Sequence, residues 1–251
     1  MISCDNRPAA DRLDSRHEKP PPVITIDGPS GVGKGTVSHR LAGRFGWWVL
    51  DSGALYRLLA LAAASRGVAL EDEAALFALG RELDCEFSRS NDGECVLLNG
   101  LDVTTEIRSE ICGNNASRLA RLPKVRGALL ERQRSFRKFP GLIADGRDMG
   151  ARVFPDADLK IFLTANLDER ARRRHKQLKA QGTDVNLASL LTEISERDSR
   201  DRKRTVSPLG PADDAVLIDT TDLTVDTVLN HVMSEVNAKA GFVSMTRYDK
   251  S

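Results

Sequence analysis

Residues 23–36 read Val23-Ile24-Thr25-Ile26-Asp27-Gly28-Pro29-Ser30-Gly31-Val32-Gly33-Lys34-Gly35-Thr36. The first four are a short β-rich run, and Asp27-Gly28-Pro29 ends it, which predicts a buried strand. Val37, Leu41 and Phe45 then recur at helical spacing, so a helix of roughly 34–45 follows. Between them lies a glycine-rich turn whose backbone N–H groups can converge on an anion. The helix adds the positive end of its dipole. Lys34 adds a mobile charge for β- and γ-phosphates. A plain glycine-rich strand–helix turn has no use for that lysine. The usual pattern carries Ser or Thr directly after it; here Gly35 intervenes and the hydroxyl belongs to Thr36. Residues Gly28, Pro29, Ser30, Gly31, Val32, Gly33, Lys34, Gly35 and Thr36 are therefore the candidate phosphate-binding set for a nucleoside triphosphate.

Outward from this unit the same rhythm continues. Trp48-Val49-Leu50 predicts a second strand, and Leu55, Leu58, Leu59 and Ala62 a second helix. Strand–helix–strand–helix predicts an α/β fold with a parallel sheet covered by helices on both faces. Between about 70 and 122 the rhythm breaks. Cys85–Ser88 and Cys95–Leu98 flank Asn91-Asp92-Gly93, a hairpin signal, and Asn99-Gly100 precedes a third strand at Asp102-Val103-Thr104. We expect a small inserted antiparallel subdomain there. Further buried strands are expected at Leu142–Ala144, Leu159–Leu163 and Val216–Ile218. An amphipathic helix is expected through Leu187, Leu190, Leu191 and Ile194, and a last one through Val225, Val228, Leu229 and Val232. Residues 1–22 are polar and end in three prolines, an expected mobile arm; 240–251 lack periodicity and read as a tail.

Composition narrows the classes. The chain has 251 residues, with 37 Lys+Arg against 36 Asp+Glu. That balance argues against a nucleic-acid partner. No apolar run reaches the roughly 18 residues of a membrane span. Four scattered cysteines without C-x-x-C spacing disfavour a zinc site or a disulfide scaffold, and suit a reducing, cytoplasmic setting.

Three further clusters bear on an acceptor. Asp51-Ser52-Gly53 ends the second strand, with Arg57 one turn into the next helix. Ligands gather at the carboxyl ends of parallel strands. Ser52 is either a helix cap or a ligand contact, and Arg57 either a solvated residue or a bidentate phosphate contact. Asp145-Gly146-Arg147-Asp148 follows the 142–144 strand, with Asp145 where a Walker-B-like carboxylate would stand; an internal salt bridge is the bland alternative. In 196–204 the apolar stripe of the preceding helix runs on into Arg197, Asp198 and Asp201, with Arg204 at its edge. Inward charges need partners, and a polyanion in a cleft supplies them. Arg200 and Arg202 fall off the stripe and read as surface, as do Arg172, Arg173 and Arg174.

These segments, together with NNAS at 114–117 and FPDADLKIFL at 154–163, resemble the bacterial-type cytidylate kinases, within the P-loop nucleoside-monophosphate kinases. The resemblance spans about 23–205. It implies a kinase domain over 23–239, with a monophosphate-binding insert at about 70–122 and a short arginine-rich lid at about 196–206. It implies transfer of the ATP γ-phosphoryl group to CMP or dCMP, with Mg²⁺ held mainly by phosphates and waters rather than by a protein metal site. Another small acceptor such as UMP is the alternative. By matching position, Arg57 and Arg147 would hold the acceptor phosphate. Ser117, Arg126 and Asp148 would read cytosine, with Ser52 and Gly53 lining the same site. Arg197 and Asp201 would touch the ribose, and Arg204 would neutralise the transferring group. A monomer is expected.

Overall fold

Among the described residues, the parallel strands β1 (Val23–Asp27), β2 (Trp48–Asp51), β6 (Leu142–Gly146), β7 (Leu159–Thr164) and β8 (Val216–Asp219) form the central sheet, in the order β2-β6-β1-β7-β8. The computed structural model describes residues 19–90, 93–180, 182, 184–204 and 206–239. The expected Asn91-Asp92 turn, the C-terminal tail and most of the N-terminal arm lie outside these residues. The end of the arm does not: Pro22 is buried, and its carbonyl accepts the Leu142 N–H at 2.9 Å. Pro21 likewise accepts from Arg137 Nε at 2.7 Å. Pro21 and Pro22 are therefore tied to the core ahead of Val23.

Strand alternation decides which helices go where. Ile24, Ile26, Ile143 and Ile161 face one layer, packed with Val37 and Leu41 of α1 (Lys34–Phe45) and Val228 and Val232 of α8 (Val225–Ala238). Val23, Leu142 and Ala144 face the other, packed with α2 (Ser52–Ser65), α3 (Glu73–Arg81), α4 (Glu110–Leu119) and α5 (Pro123–Arg134). Each fully buried Leu or Ile contributes about 1.5–3 kcal/mol by leaving water. A doubly covered parallel sheet is the reason its strands read as unbroken apolar runs.

The small second sheet is antiparallel, β3 (Cys85–Ser90), β4 (Gly93–Leu98) and β5 (Leu101–Asp102). Its last strand lies earlier than the expected Asp102–Thr104. Beyond it the Val103 N–H still donates to the Val96 carbonyl at 2.9 Å, but the Val96 N–H donates to the Thr104 hydroxyl at 2.8 Å, so a side chain takes one of the next pair's two bonds. The 70–122 region is also more helical than expected, containing α3, a 3₁₀ turn at Glu106–Arg108 and α4.

Two long helices complete the fold, α6 (Leu167–Ala180) and α7 (Leu187–Arg202). On α7 the inward stripe is Leu190, Ile194, Asp198 and Asp201; Leu187, expected to belong to it, is exposed because it occupies the first helical turn.

Candidate active site

The turn after β1 owes its shape to three glycines at positive φ: Gly28 (148°), Gly31 (81°) and Gly33 (93°). At Gly28 a Cβ would stand 2.2 Å from the Leu163 carbonyl oxygen, so the turn is pressed against β7. Gly28 and Pro29 accordingly shape the loop without lining the cleft, whereas Ser30 to Thr36 do line it. Lys34, in the first turn of α1, is buried and donates to the Pro29 carbonyl at 2.9 Å. Its ammonium stands 4.0 Å from Asp145 at the end of β6. Burial, with the like charge of Arg147, lowers its pKa to about 8 despite Asp145. Burial in turn raises Asp145 to about 6, against the pull of Lys34. The Ser30 hydroxyl is buried with no partner in the described chain.

An adjoining cleft opens beside this loop, and it gathers nine of the expected residues: Ser52, Gly53, Ser117, Arg126, Arg147, Asp148, Arg197, Asp201 and Arg204. Asp201 is its hub. Its carboxylate accepts from Ser117 Oγ at 3.1 Å, from Arg147 Nε at 3.2 Å and from Arg204. Burial pushes its pKa up, but Arg147, Arg204 and Arg197 together outweigh that and hold it below the ordinary carboxylate value. Arg197 is driven down to about 9, by burial first and then by Arg147. The Nε groups of Arg197 and Arg204 are buried without partners. Unpaired buried guanidinium donors in a cleft are costly unless an anion meets them.

Arg126 and Asp148 form a second buried pair on the far wall, with 10% and 6% side-chain exposure. Arg57 takes a different place from its expected neighbours. It lines the phosphate-loop cleft and donates to the Ile107 and Ser109 carbonyls, lying against Gly113, where a Cβ would come within 2.9 Å. Ser52 does not cap α2. Asp51 does, accepting the Ala54 N–H at 3.0 Å, while Ser52 accepts from Gln133 at 2.8 Å.

Three surface readings need correction. Arg172 is exposed, but Arg173 donates to the Thr220 and Thr221 carbonyls, and Arg174 pairs with Glu110. Both line the phosphate-loop cleft. Arg200 donates to Asn114 at 2.9 Å and is only partly exposed, while Arg202 is open to solvent. Sequence reasoning also missed three buried supports: Asp27, Gln133, and Arg170, whose guanidinium pairs with Asp198 at 2.7 Å and donates to the Ser30 carbonyl at 3.2 Å. A lone Asp closing an apolar strand was the only signal for the first.

No group of three or more His, Cys, Asp or Glu among the described residues is placed to hold a metal ion. The oxygens facing the loop, from Asp145, Thr36 and Ser30, are hard donors too few for a complete coordination shell. They fit a Mg²⁺ that takes most of its ligands from phosphates and water. No helix of the described residues is long and apolar enough to cross a membrane.

The family profile described as cytidylate kinase matches residues 24–238. Among curated proteins, the cytidylate kinase of Stutzerimonas stutzeri (strain A1501) is 61% identical over 220 residues, covering 87% of this chain and 96% of its own. That of Pseudomonas syringae pv. tomato (strain ATCC BAA-871 / DC3000) is 58% identical, covering 86% and 95%. That of Aeromonas salmonicida (strain A449) is 55% identical, covering 89% and 97%.

Proposed function

The chain belongs to the cytidylate kinase family, and from that premise we infer that it transfers the γ-phosphoryl group of ATP to CMP or dCMP, giving ADP and CDP or dCDP. The observation that carries the assignment of roles is the convergence of Arg147, Arg197 and Arg204 on one cleft wall, next to Lys34, with two guanidinium nitrogens unpaired. Such a wall suits a site where two polyanions meet.

In the transfer, an oxygen of the acceptor phosphate forms a bond to the γ-phosphorus as the bond to the β,γ-bridging oxygen breaks. The electron pair leaves with ADP. The attacking oxygen is already anionic, so no side chain need act as base. Catalysis is positioning and charge neutralisation. Lys34 and the loop N–H groups hold the donor phosphates. Arg147 and Arg57 hold the acceptor phosphate, Arg197 and Asp201 the ribose, and Arg204 the transferring group. Asp145 and Thr36 would hold the Mg²⁺ that accompanies ATP, and the ion would supply neutralisation of phosphate charge. Segment 196–206 acts as the lid that excludes water, and residues 70–122 supply the acceptor side.

Base choice rests on Arg126 and Asp148. Cytosine offers an N4 amino donor beside N3 and O2 acceptors; the carboxylate accepts from N4 and the guanidinium donates to N3 or O2. Uracil would set O4 against the carboxylate, which disfavours UMP. We further infer a cytoplasmic monomer with no nucleic-acid partner: Cys85, Cys95 and Cys112 are free thiols, and this chain alone supplies both cleft walls. A coupled ADP-release assay with CMP, dCMP, UMP and shikimate tests the reading. CMP or dCMP should exceed UMP in kcat/KM by about 10²-fold or more; equal rates with UMP or preference for shikimate overturn it.

A further inference from the structure

Asp27 is a buried acid that lines neither cleft. It closes β1, where it pairs in register with Gly146 of β6 and Phe162 of β7. The next residue is Gly28, locked against the Leu163 carbonyl, so Asp27 has no freedom to drift. Its two carboxylate oxygens each accept one backbone N–H, from Met149 and from Gly150, both at 2.8 Å. These are the first two amides after Asp148. Asp148 itself has φ −150° and ψ 28°, outside the helical and strand wells, and its turn continues as a single π-type turn over Met149–Val153.

A carboxylate is an expensive choice for such a place. Burial lifts its pKa to about 7, although the two amides and Lys34 oppose the lift. A neutral side chain of the same size offers only one acceptor oxygen to two donors. The two oxygens of the carboxyl group let one side chain hold both amides at once.

We propose that Asp27 is a positioning residue for acceptor recognition, its carboxylate pinning the Asp148–Gly150 turn to the strand that carries the phosphate loop. The base-reading carboxylate and the donor loop then keep one fixed separation through β1. This rests on the role of Asp148 in reading cytosine, and Asp148→Asn, measured on the same acceptors, tests that role separately.

The test compares wild type with Asp27→Asn. The amide of Asn accepts from one of the two N–H groups and turns its own donor toward the other, so the turn is held at one point. KM for CMP should rise, and the CMP/UMP ratio of kcat/KM should fall, by about tenfold or more, the scale of a lost bond to a charged group. KM for ATP should stay within about twofold, since the loop backbone is fixed by Gly28 and β7. A lowered melting temperature with an unchanged CMP/UMP ratio overturns the proposal and makes Asp27 a stability residue only. Should Asp27→Asn fail to fold, amide exchange in the wild-type protein decides. The Met149 and Gly150 amides should be strongly protected, and saturating CMP should slow them further while ATP alone does not. Unprotected amides there, or equal effects of the two nucleotides, overturn it.

Discussion

Asp148→Asn separates reading the base from bracing the site. Asp148 is 4% exposed and its partner Arg126 is nearly as deep. Removing one member of a buried ion pair costs about 3–5 kcal/mol when the other charge is left alone. Here the loss is smaller, because asparagine keeps one acceptor oxygen and Arg126 keeps the Ala120 carbonyl at 3.4 Å. About 1–3 kcal/mol of stability should go, the scale of a poorly satisfied buried polar group. With CMP the variant loses the charge-assisted bond from N4, so kcat/KM should fall by about 1–3 kcal/mol, or roughly 5- to 150-fold. With UMP the amide can present a donor to O4, and kcat/KM should fall less or rise. Arg57→Ala is the control: it should weaken both acceptors alike, because phosphate carries no base information. The assay is coupled ADP release at saturating ATP, with melting temperature read in parallel. An unchanged CMP/UMP ratio beside a lowered melting temperature would refute base reading and leave Asp148 as a brace for Arg126.

Two more outcomes follow from the phosphate loop. With its pKa held near 8, Lys34 of the free protein is charged at pH 7 and loses its proton sooner than an ordinary lysine. ATP affinity, measured by calorimetry, should be flat below about pH 8 and then weaken by about tenfold per pH unit, as binding must take up the missing proton. A dissociation constant unchanged to about pH 9.5 contradicts this. Gly28→Ala should cost more than about 3 kcal/mol, because its Cβ would meet a strand carbonyl at 2.2 Å and neither backbone can retreat. Gly33→Ala, with open space around it, should cost only the about 1–2 kcal/mol of a left-handed residue. Thermal melts of the two variants check the order, and equal losses would refute it.

The strands of the main sheet were readable because both faces are covered, leaving apolar runs such as Leu159–Leu163 between turn residues. The stripe of α7 was readable too: stepping 100° per residue from Leu190 and Ile194 lands on Asp198 and Asp201, both buried. α5 left little trace. Its inward face is Val125, Ala128, Leu129 and the polar Gln133, too mixed for a periodic signal. Arg173 and Arg174 were misread for the opposite reason. A run of three arginines looks solvated, and only tertiary structure brings the Thr220 carbonyl and Glu110 to two of them. The Asp51 cap was hidden by Ser52 beside it, an equally good capping residue.

The strand order sets a timetable for synthesis. β1 leaves the ribosome early but lies mid-sheet, and its neighbours are β6 and β7. The Val23 N–H is satisfied by Asp158, 135 residues downstream. At about 5–20 residues per second, the first strand waits on the order of ten seconds for its partners. Meanwhile Val23, Ile24 and Ile26, none of which meets water in the finished fold, have no sheet to join. The phosphate loop waits as well, since Gly28 takes its conformation against the Leu163 carbonyl. A nascent chain shorter than β7 therefore has no working nucleotide cradle, and ATP, however abundant, gives it no help in folding. Late closure of this kind makes any truncation before Thr164 a loss of the whole site rather than of one edge.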